Sequence, residues 1–184
     1  MPACEDGEMP ECPNVETDRL LLRPFTEDDL GRYFEIHATP EVRASLHTPD
    51  TFSRDDAWAQ MASHRGQWAL RGSGQWAVTL KATGELIGRA GTHRPERRDW
   101  PGLECGWTFD PAHWGNGYAT EAGRATVEWA FANHDDDRLV SVILPTNAPS
   151  QAVAARLGFT LLEERTLSFF PSAPHGIWVL SRPQ

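Results

Sequence analysis

The chain has 184 residues, with 17 Lys and Arg against 26 Asp and Glu and a formal net charge of -9. That length supports one buried core and is short for two, and so acidic a chain, with Lys81 its only lysine, lacks the clustered cations that a nucleic-acid surface needs and suits a cationic partner better. No apolar run reaches 18 residues, and the first stretch, "MPACEDGEMPECPNVETD", is acidic where a secretory leader is basic and then apolar, so we expect a cytoplasmic protein with no membrane role. Residues 1–16 read as a flexible acidic tail ahead of a single domain over 17–184. Cys4, Cys12 and Cys105 form neither a disulfide framework nor a spaced zinc site. No histidine pairs with a ligand residue at metal spacing, so no metal is expected.

In chain order, "RLLLRPF" from residue 19 is a short apolar run stopped by Pro24 and predicts a first strand. "TEDDLGRYFEIHA" then places a hydroxyl cap before acidic first-turn residues, with Leu30, Tyr33, Phe34 and His37 at helical spacing. "HTPDTF" breaks the pattern, and a second helix is predicted from Ser53 to about Leu70. The period then changes to alternation. Strands are expected at about 75 to 81 and 85 to 93, joined by a turn at Ala82 to Gly84. "LECGWTFD" follows, with Leu103, Cys105, Trp107 and Phe109 on one face and Glu104, Gly106, Thr108 and Asp110 on the other.

A helix is expected from about Gly117 to Asn133. "LVSVILP" reads as a strand buried on both faces, hence central. "TNAPSQAVAARLGF" makes a short helix begun near Asn147 and closed by Gly158, and two strands end the chain. The order is strand, two helices, three strands, helix, strand, helix, two strands, which defines an α+β fold: one mixed sheet with helices packed on it.

The stretch "HWGNGYATEAG" from His113 places two glycines just before a helix. Glycines there let backbone approach a ligand, while unpaired amides and the helix dipole attract an anion. A nucleoside-triphosphate loop is excluded, because it needs a lysine after its second glycine. A dinucleotide fingerprint fails too: Thr120 stands where a third small residue belongs, and Val140 and Ser141 where an acid belongs. A structural glycine turn remains open from this stretch alone.

The arrangement as a whole resembles the GNAT N-acetyltransferases, and within them the branch containing the Rim-type ribosomal-protein N-terminal acetyltransferases. It is carried by an alternating strand ending in "PAHWGNGYATEA", a helix, an apolar strand, "NAPS" and a helix closing on "LGF". The resemblance runs from "ETDRLLLRPFTEDDL" near residue 16 to the C-terminus. It implies a mixed, mostly antiparallel twisted sheet splayed between its fourth and fifth strands, acetyl-CoA as cosubstrate and a primary amine as acceptor, either a protein N-terminus or a small molecule. It also makes a homodimer possible.

By the same resemblance, the amides from Trp114 through Gly115, Asn116, Gly117, Tyr118 and Ala119 to Thr120 hold the pyrophosphate. Trp114 departs from the arginine or glutamine often found at its position, which removes a side chain and leaves the amides. Pantetheine pairs with the strand backbone at Trp107, Thr108 and Phe109, of which Trp107 and Phe109 also read as core. Asn147 either meets the pantetheine arm or simply caps its helix. The tyrosine that protonates the leaving thiolate in many relatives is Ala154 here, so Ser150 becomes the candidate acid, with a first-turn hydrogen bond as its plainer use. Glu104 is the candidate base, acting through water, or else a solvent-facing strand glutamate. His113 is either a proton relay or a coenzyme A contact. Trp58, Trp68 and Trp76 wall the acceptor pocket or pack in the core. From another class, a non-catalytic acyl-CoA sensor is the alternative that the missing tyrosine encourages.

Overall fold

The structure is a computed structural model that describes residues 11–46 and 51–183. Eight strands form one sheet in the order β1-β2-β3-β4-β5-β6-β8-β7. A first strand, β1 (Val15–Glu16), precedes the one expected, which is β2 (Leu20–Arg23). Residues 11–16 were grouped with the tail in the sequence, yet they pack on the body: β1 pairs antiparallel with β2, and the Pro13 carbonyl accepts a 2.8 Å hydrogen bond from Trp76 Nε1. Cys12 is half-buried beside them, and burial pushes its thiol up to about 12. Cys4 and the rest of the expected tail lie outside the described residues.

Helix α1 (Leu30–Ala38) follows a single 3-10 turn whose Thr26–Asp29 capping box is closed by the buried Arg23–Asp29 ion pair at 2.7 Å. A helix that the sequence reading missed, α2 (Pro40–Leu46), comes next. Thr39 ends α1 with extended dihedrals, and its Oγ1 accepts from the Val42 N–H at 3.4 Å, while Pro40 supplies a preset φ for the new helix. Helix α3 (Arg54–Arg71) has a full capping box from Ser53 and Asp56 and ends on Gly72 in the left-handed region, φ 61°. Gly72→Ala should cost about 1 kcal/mol and lower Tm by roughly 2–4 °C, because a Cβ is strained there. A thermal melt checks this.

Strands β3 (Gln75–Leu80) and β4 (Leu86–His93) form the expected hairpin, and β5 (Glu104–Phe109) runs antiparallel to β4. Helix α4 (Tyr118–Asn133) then crosses to β6 (Arg138–Ile143), and α5 (Ala148–Arg156) leads to β7 (Thr160–Leu167) and β8 (Phe170–Ser181). β8 runs through Pro171 and Pro174. Both prolines fall beyond the last β6 pair, Ile143 opposite Gly176, where a missing N–H breaks no β6 ladder.

The sheet buries apolar side chains on both faces. Helix α4 covers Leu20, Leu22, Trp76, Val78, Ile87 and Phe109, and α1 to α3 cover Ala77 and Leu86 with Tyr33, Ile36, Ala57 and Met61. Trp68 and Trp76 join Trp129 of α4 in a trio of rings 4.7–5.2 Å apart, which assigns those two to the core, whereas Trp58 is half exposed. β5 and β6 are parallel and meet at one register pair, Glu104 opposite Val140, after which they separate. The splay thus lies between the fifth and sixth strands in this numbering. It is the pair the sequence counted as fourth and fifth, shifted by the extra β1.

Candidate active site

Below the junction of β5 and β6, the backbone from Gly106 to Phe109 has no strand partner on its β6 side. An open groove of about 1250 Å³ occupies this gap and continues to the start of α4. Trp107, Thr108 and Phe109 line it from β5, and Trp114, Gly115, Gly117, Tyr118, Ala119 and Thr120 line it from the loop and helix start. Asn147 and Ser150 close it from α5. The residues that the sequence singled out at three separate places therefore share one cleft, with two exceptions.

Asn116 is the first exception. Its side chain turns back to donate to the carbonyls of His113 at 3.1 Å and Trp114 at 3.2 Å, holding the loop instead of lining the groove. Glu104 is the second. It sits at the strand junction, four residues from Thr108 on the same face and so about 13 Å up the strand. Its carboxylate lies 3.3 Å from His93 Nδ1 and is nearly enclosed.

The loop is built from both ends. Asp110 caps the short turn at Pro111–His113 by accepting from the Ala112 N–H at 3.0 Å and is ion-paired with Arg32. Trp114 donates its indole N–H to the Phe109 carbonyl at 2.8 Å and so ties the loop to the end of β5. Gly115 and Gly117 have φ of 79° and 81°, left-handed values that glycine adopts without strain. A Cβ on Gly115 would meet nothing within 4 Å, so the groove has room there for a ligand against bare backbone. Among the described residues no side chain caps α4, which leaves its first-turn amides free to receive an anion. That donor set fits a diphosphate.

Several supporting residues escaped the sequence reading. Arg19 donates to the Asn116 carbonyl at 3.0 Å, pairs with Glu121 at 2.6 Å and lies 4.5 Å over the Tyr118 ring, bracing the loop from behind. Glu121 also accepts from Thr17 Oγ1 and the Arg19 N–H. Burial alone would raise its carboxyl, but these donors outweigh burial and hold it below the usual carboxylate range. Arg124 and Arg156 add exposed cations to the groove wall, and Val42 and Ser45 of α2 reach it from the other side. Arg124 stands one turn beyond Thr120, and that spacing was the available signal.

On α5, Asn147 Oδ1 accepts from the Ser150 N–H at 3.1 Å, so the capping role holds, and its Nδ2 reaches the Ser45 carbonyl at 3.4 Å. Ser150 lines the groove, whereas Ala154 is fully buried. His113 lines the groove and has Nε2 3.4 Å from Glu85. Among the described residues one trio, Glu85, Asp110 and His113, brings ligand atoms within 4.8 Å of one another, and Arg32 already bonds both carboxylates. No described helix is long and apolar enough to cross a membrane.

The fold and cleft define an acetyltransferase of a known class. Residues 19–160 match the family model described as an acetyltransferase (GNAT) domain, and the chain belongs to that family. It is similar to YoaA of Bacillus subtilis, an uncharacterized N-acetyltransferase, at 28% identity over 80% of this chain and 82% of the relative. An acetyltransferase from Agrobacterium tumefaciens has a crystal structure that superposes with a TM-score of 0.81 at 31% identity, covering 94% of this chain and 96% of its own. The ribosomal-protein-S5-alanine acetyltransferase of Vibrio fischeri shares the fold with a TM-score of 0.74 at 17% identity, over 92% and 97% of the two chains.

Proposed function

We propose that the protein transfers an acetyl group from acetyl-CoA to a primary amine by direct attack, with no covalent enzyme intermediate. The observation that carries this reading is the uncapped start of α4, behind two left-handed glycines, opening into a groove that runs along unpaired β5 backbone. Amides of the loop and first turn hold the diphosphate, and the free edge of Trp107 to Phe109 pairs with the pantetheine arm. Arg124 and Arg156 supply countercharge for the remaining phosphate.

The amine must lose a proton before or as it attacks. Deprotonation at pH 7 costs roughly 1 kcal/mol for an α-amine of pKa near 7.8 and about 4.6 kcal/mol for a lysine near 10.4, so an N-terminal or similarly weak amine is the easier acceptor. Glu104, too far from Thr108 for direct contact, receives the proton through water, with His93 at its side. Ser150 Oγ protonates the thiolate as it leaves, and backbone N–H groups of β5 hold the carbonyl. Metal chemistry has no part in this scheme.

Release of free thiol from acetyl-CoA, followed across peptides with different N-terminal residues, polyamines and aminoglycosides, tests the proposal. We expect turnover with at least one amine, a roughly tenfold or greater loss of kcat in Glu104→Gln and Ser150→Ala, and coenzyme A affinity within about twofold of wild type in both. Tight binding with no turnover on any amine would instead support a non-catalytic acyl-CoA sensor.

A further inference from the structure

Thr108 lines the cleft and is 6% exposed, and its Oγ1 is buried and has no hydrogen-bond partner among the described residues. Val42 and Ser45 of α2 line the same groove. An unpartnered buried hydroxyl is destabilising, and valine, its near isostere, would avoid that cost. A hydroxyl kept at such a point is explained if something that enters the groove bonds to it.

Its neighbour on β4 narrows the choice of partner. Arg89 is the register partner of Thr108, and its guanidinium has no carboxylate partner among the described residues. Arg89 is engaged with neutral groups only, donating to His37 Nε2 at 3.3 Å and to Gln75 Oε1. A half-buried cation on the next strand disfavours a cationic amine at Thr108 and favours a group that gains negative charge. The group that does so in acyl transfer is the carbonyl oxygen under attack.

We propose that Thr108 Oγ1 donates a hydrogen bond to the carbonyl oxygen of the acyl group, a catalytic role for a side chain beyond the backbone contacts of its strand. This rests on the acetyl-CoA reading above. In the step it serves, the amine nitrogen bonds to the acyl carbon while the carbon–sulfur bond breaks and its electron pair leaves on sulfur. The amine proton passes to water and Glu104, the thiolate takes a proton from the Ser150 hydroxyl, which is reprotonated by water of the groove, and Thr108 keeps its own proton throughout, its hydrogen bond shortening as charge builds.

The test compares wild type with Thr108→Val and Thr108→Ser on two unreactive ligands: the ketone analogue of acetyl-CoA in which methylene replaces sulfur, and S-ethyl-CoA, which lacks the carbonyl. Wild type and Thr108→Ser should bind the ketone about 3–10-fold more tightly than S-ethyl-CoA, whereas Thr108→Val should lose most of that preference and keep only what the β5 backbone N–H groups supply, with S-ethyl-CoA affinity within about twofold of wild type. With a competent amine, kcat should fall about 10–100-fold in Thr108→Val and largely return in Thr108→Ser. Thr108→Val should also melt no lower than wild type, which a structural role for the hydroxyl would not allow. Retained ketone preference and kcat in Thr108→Val would overturn the proposal while leaving the acetyl-CoA reading intact. Failure of wild type to bind either ligand would overturn both.

Discussion

Gly117→Val is expected to weaken coenzyme A binding about 10–100-fold while leaving the fold intact. Gly117 is the N-cap of α4 at φ 81°, ψ 2°, and a β-branched residue is strained by roughly 1–3 kcal/mol in that region. The loop relieves the strain most cheaply by rotating its own peptides, since a Cβ at Gly117 comes no closer than 3.6 Å to Arg19 and so meets no packing clash. Rotation turns the amides away from the direction in which they converge on an anion. The stability loss should therefore be modest and the binding loss large. Gly72→Ala is the matched control, because Gly72 is also left-handed but ends α3, and none of its neighbours lines the groove. Titration calorimetry should show coenzyme A affinity unchanged in Gly72→Ala and reduced in Gly117→Val. Equal affinity in both would mean that the glycine loop is not the anion site.

Lowering the pH from 7.5 to 5 should remove at least about 2 kcal/mol of folding stability. The cause lies in two histidines under α1 and α3. His37 stacks on Tyr33 with Nδ1 2.9 Å from the Tyr33 carbonyl, which leaves Nε2 to accept from the Arg89 guanidinium. A proton on Nε2 would have to enter a buried site facing a cation, and burial first, then Arg89, depresses this ring to about 3. His64, buried beside Phe25 with Nε2 3.5 Å from the Tyr33 hydroxyl, is lowered well below its usual value for the same reasons, with His93 and His37 adding to the effect.

Both rings are thus neutral when folded, whereas in the unfolded chain they bind protons near pH 6.5. Stability is complete above that value and falls as pH drops below it, down to the depressed folded values. His37 contributes up to about 1.4 kcal/mol per pH unit in this window, or about 2 kcal/mol at pH 5, and His64 adds to the loss in the same direction. Urea denaturation at pH 7.5, 6 and 5 should trace this slope, and His37→Gln should make it clearly shallower. A stability flat between pH 7.5 and 5 would show that these rings protonate in place.

Much of this molecule was legible in the chain because its signals are local. Alternation in "LECGWTFD", the uniform run at "LVSVIL" and the glycines before Tyr118 each report on a few neighbouring residues, and each produced its element in place. The extra helix α2 rested on a quieter local signal, Thr39 followed by Pro40, hidden by the turn-forming residues after it. β1 is two residues long and has no period to detect.

What local pattern could not show is contact across the chain. Thr17, Arg19 and Glu121 meet over more than 100 residues of separation to brace the loop. The parity of a strand correctly put Glu104 and Thr108 on one face, yet only the splay shows that Thr108 lies in the groove and Glu104 at its closed end. The pairing of Arg89 with neutral partners depends on the register of β3 to β5 and on the approach of α1, none of which leaves a mark in nearby sequence.

The central claim is that bare amides at the start of α4 grip a diphosphate, and calorimetric titration of the wild-type protein with coenzyme A and with pantetheine, which lacks the diphosphate, tests it most directly. We expect coenzyme A to bind in the range of about 1–100 μM and pantetheine at least about a hundredfold more weakly. No heat with coenzyme A, or equal affinity for both, would contradict it.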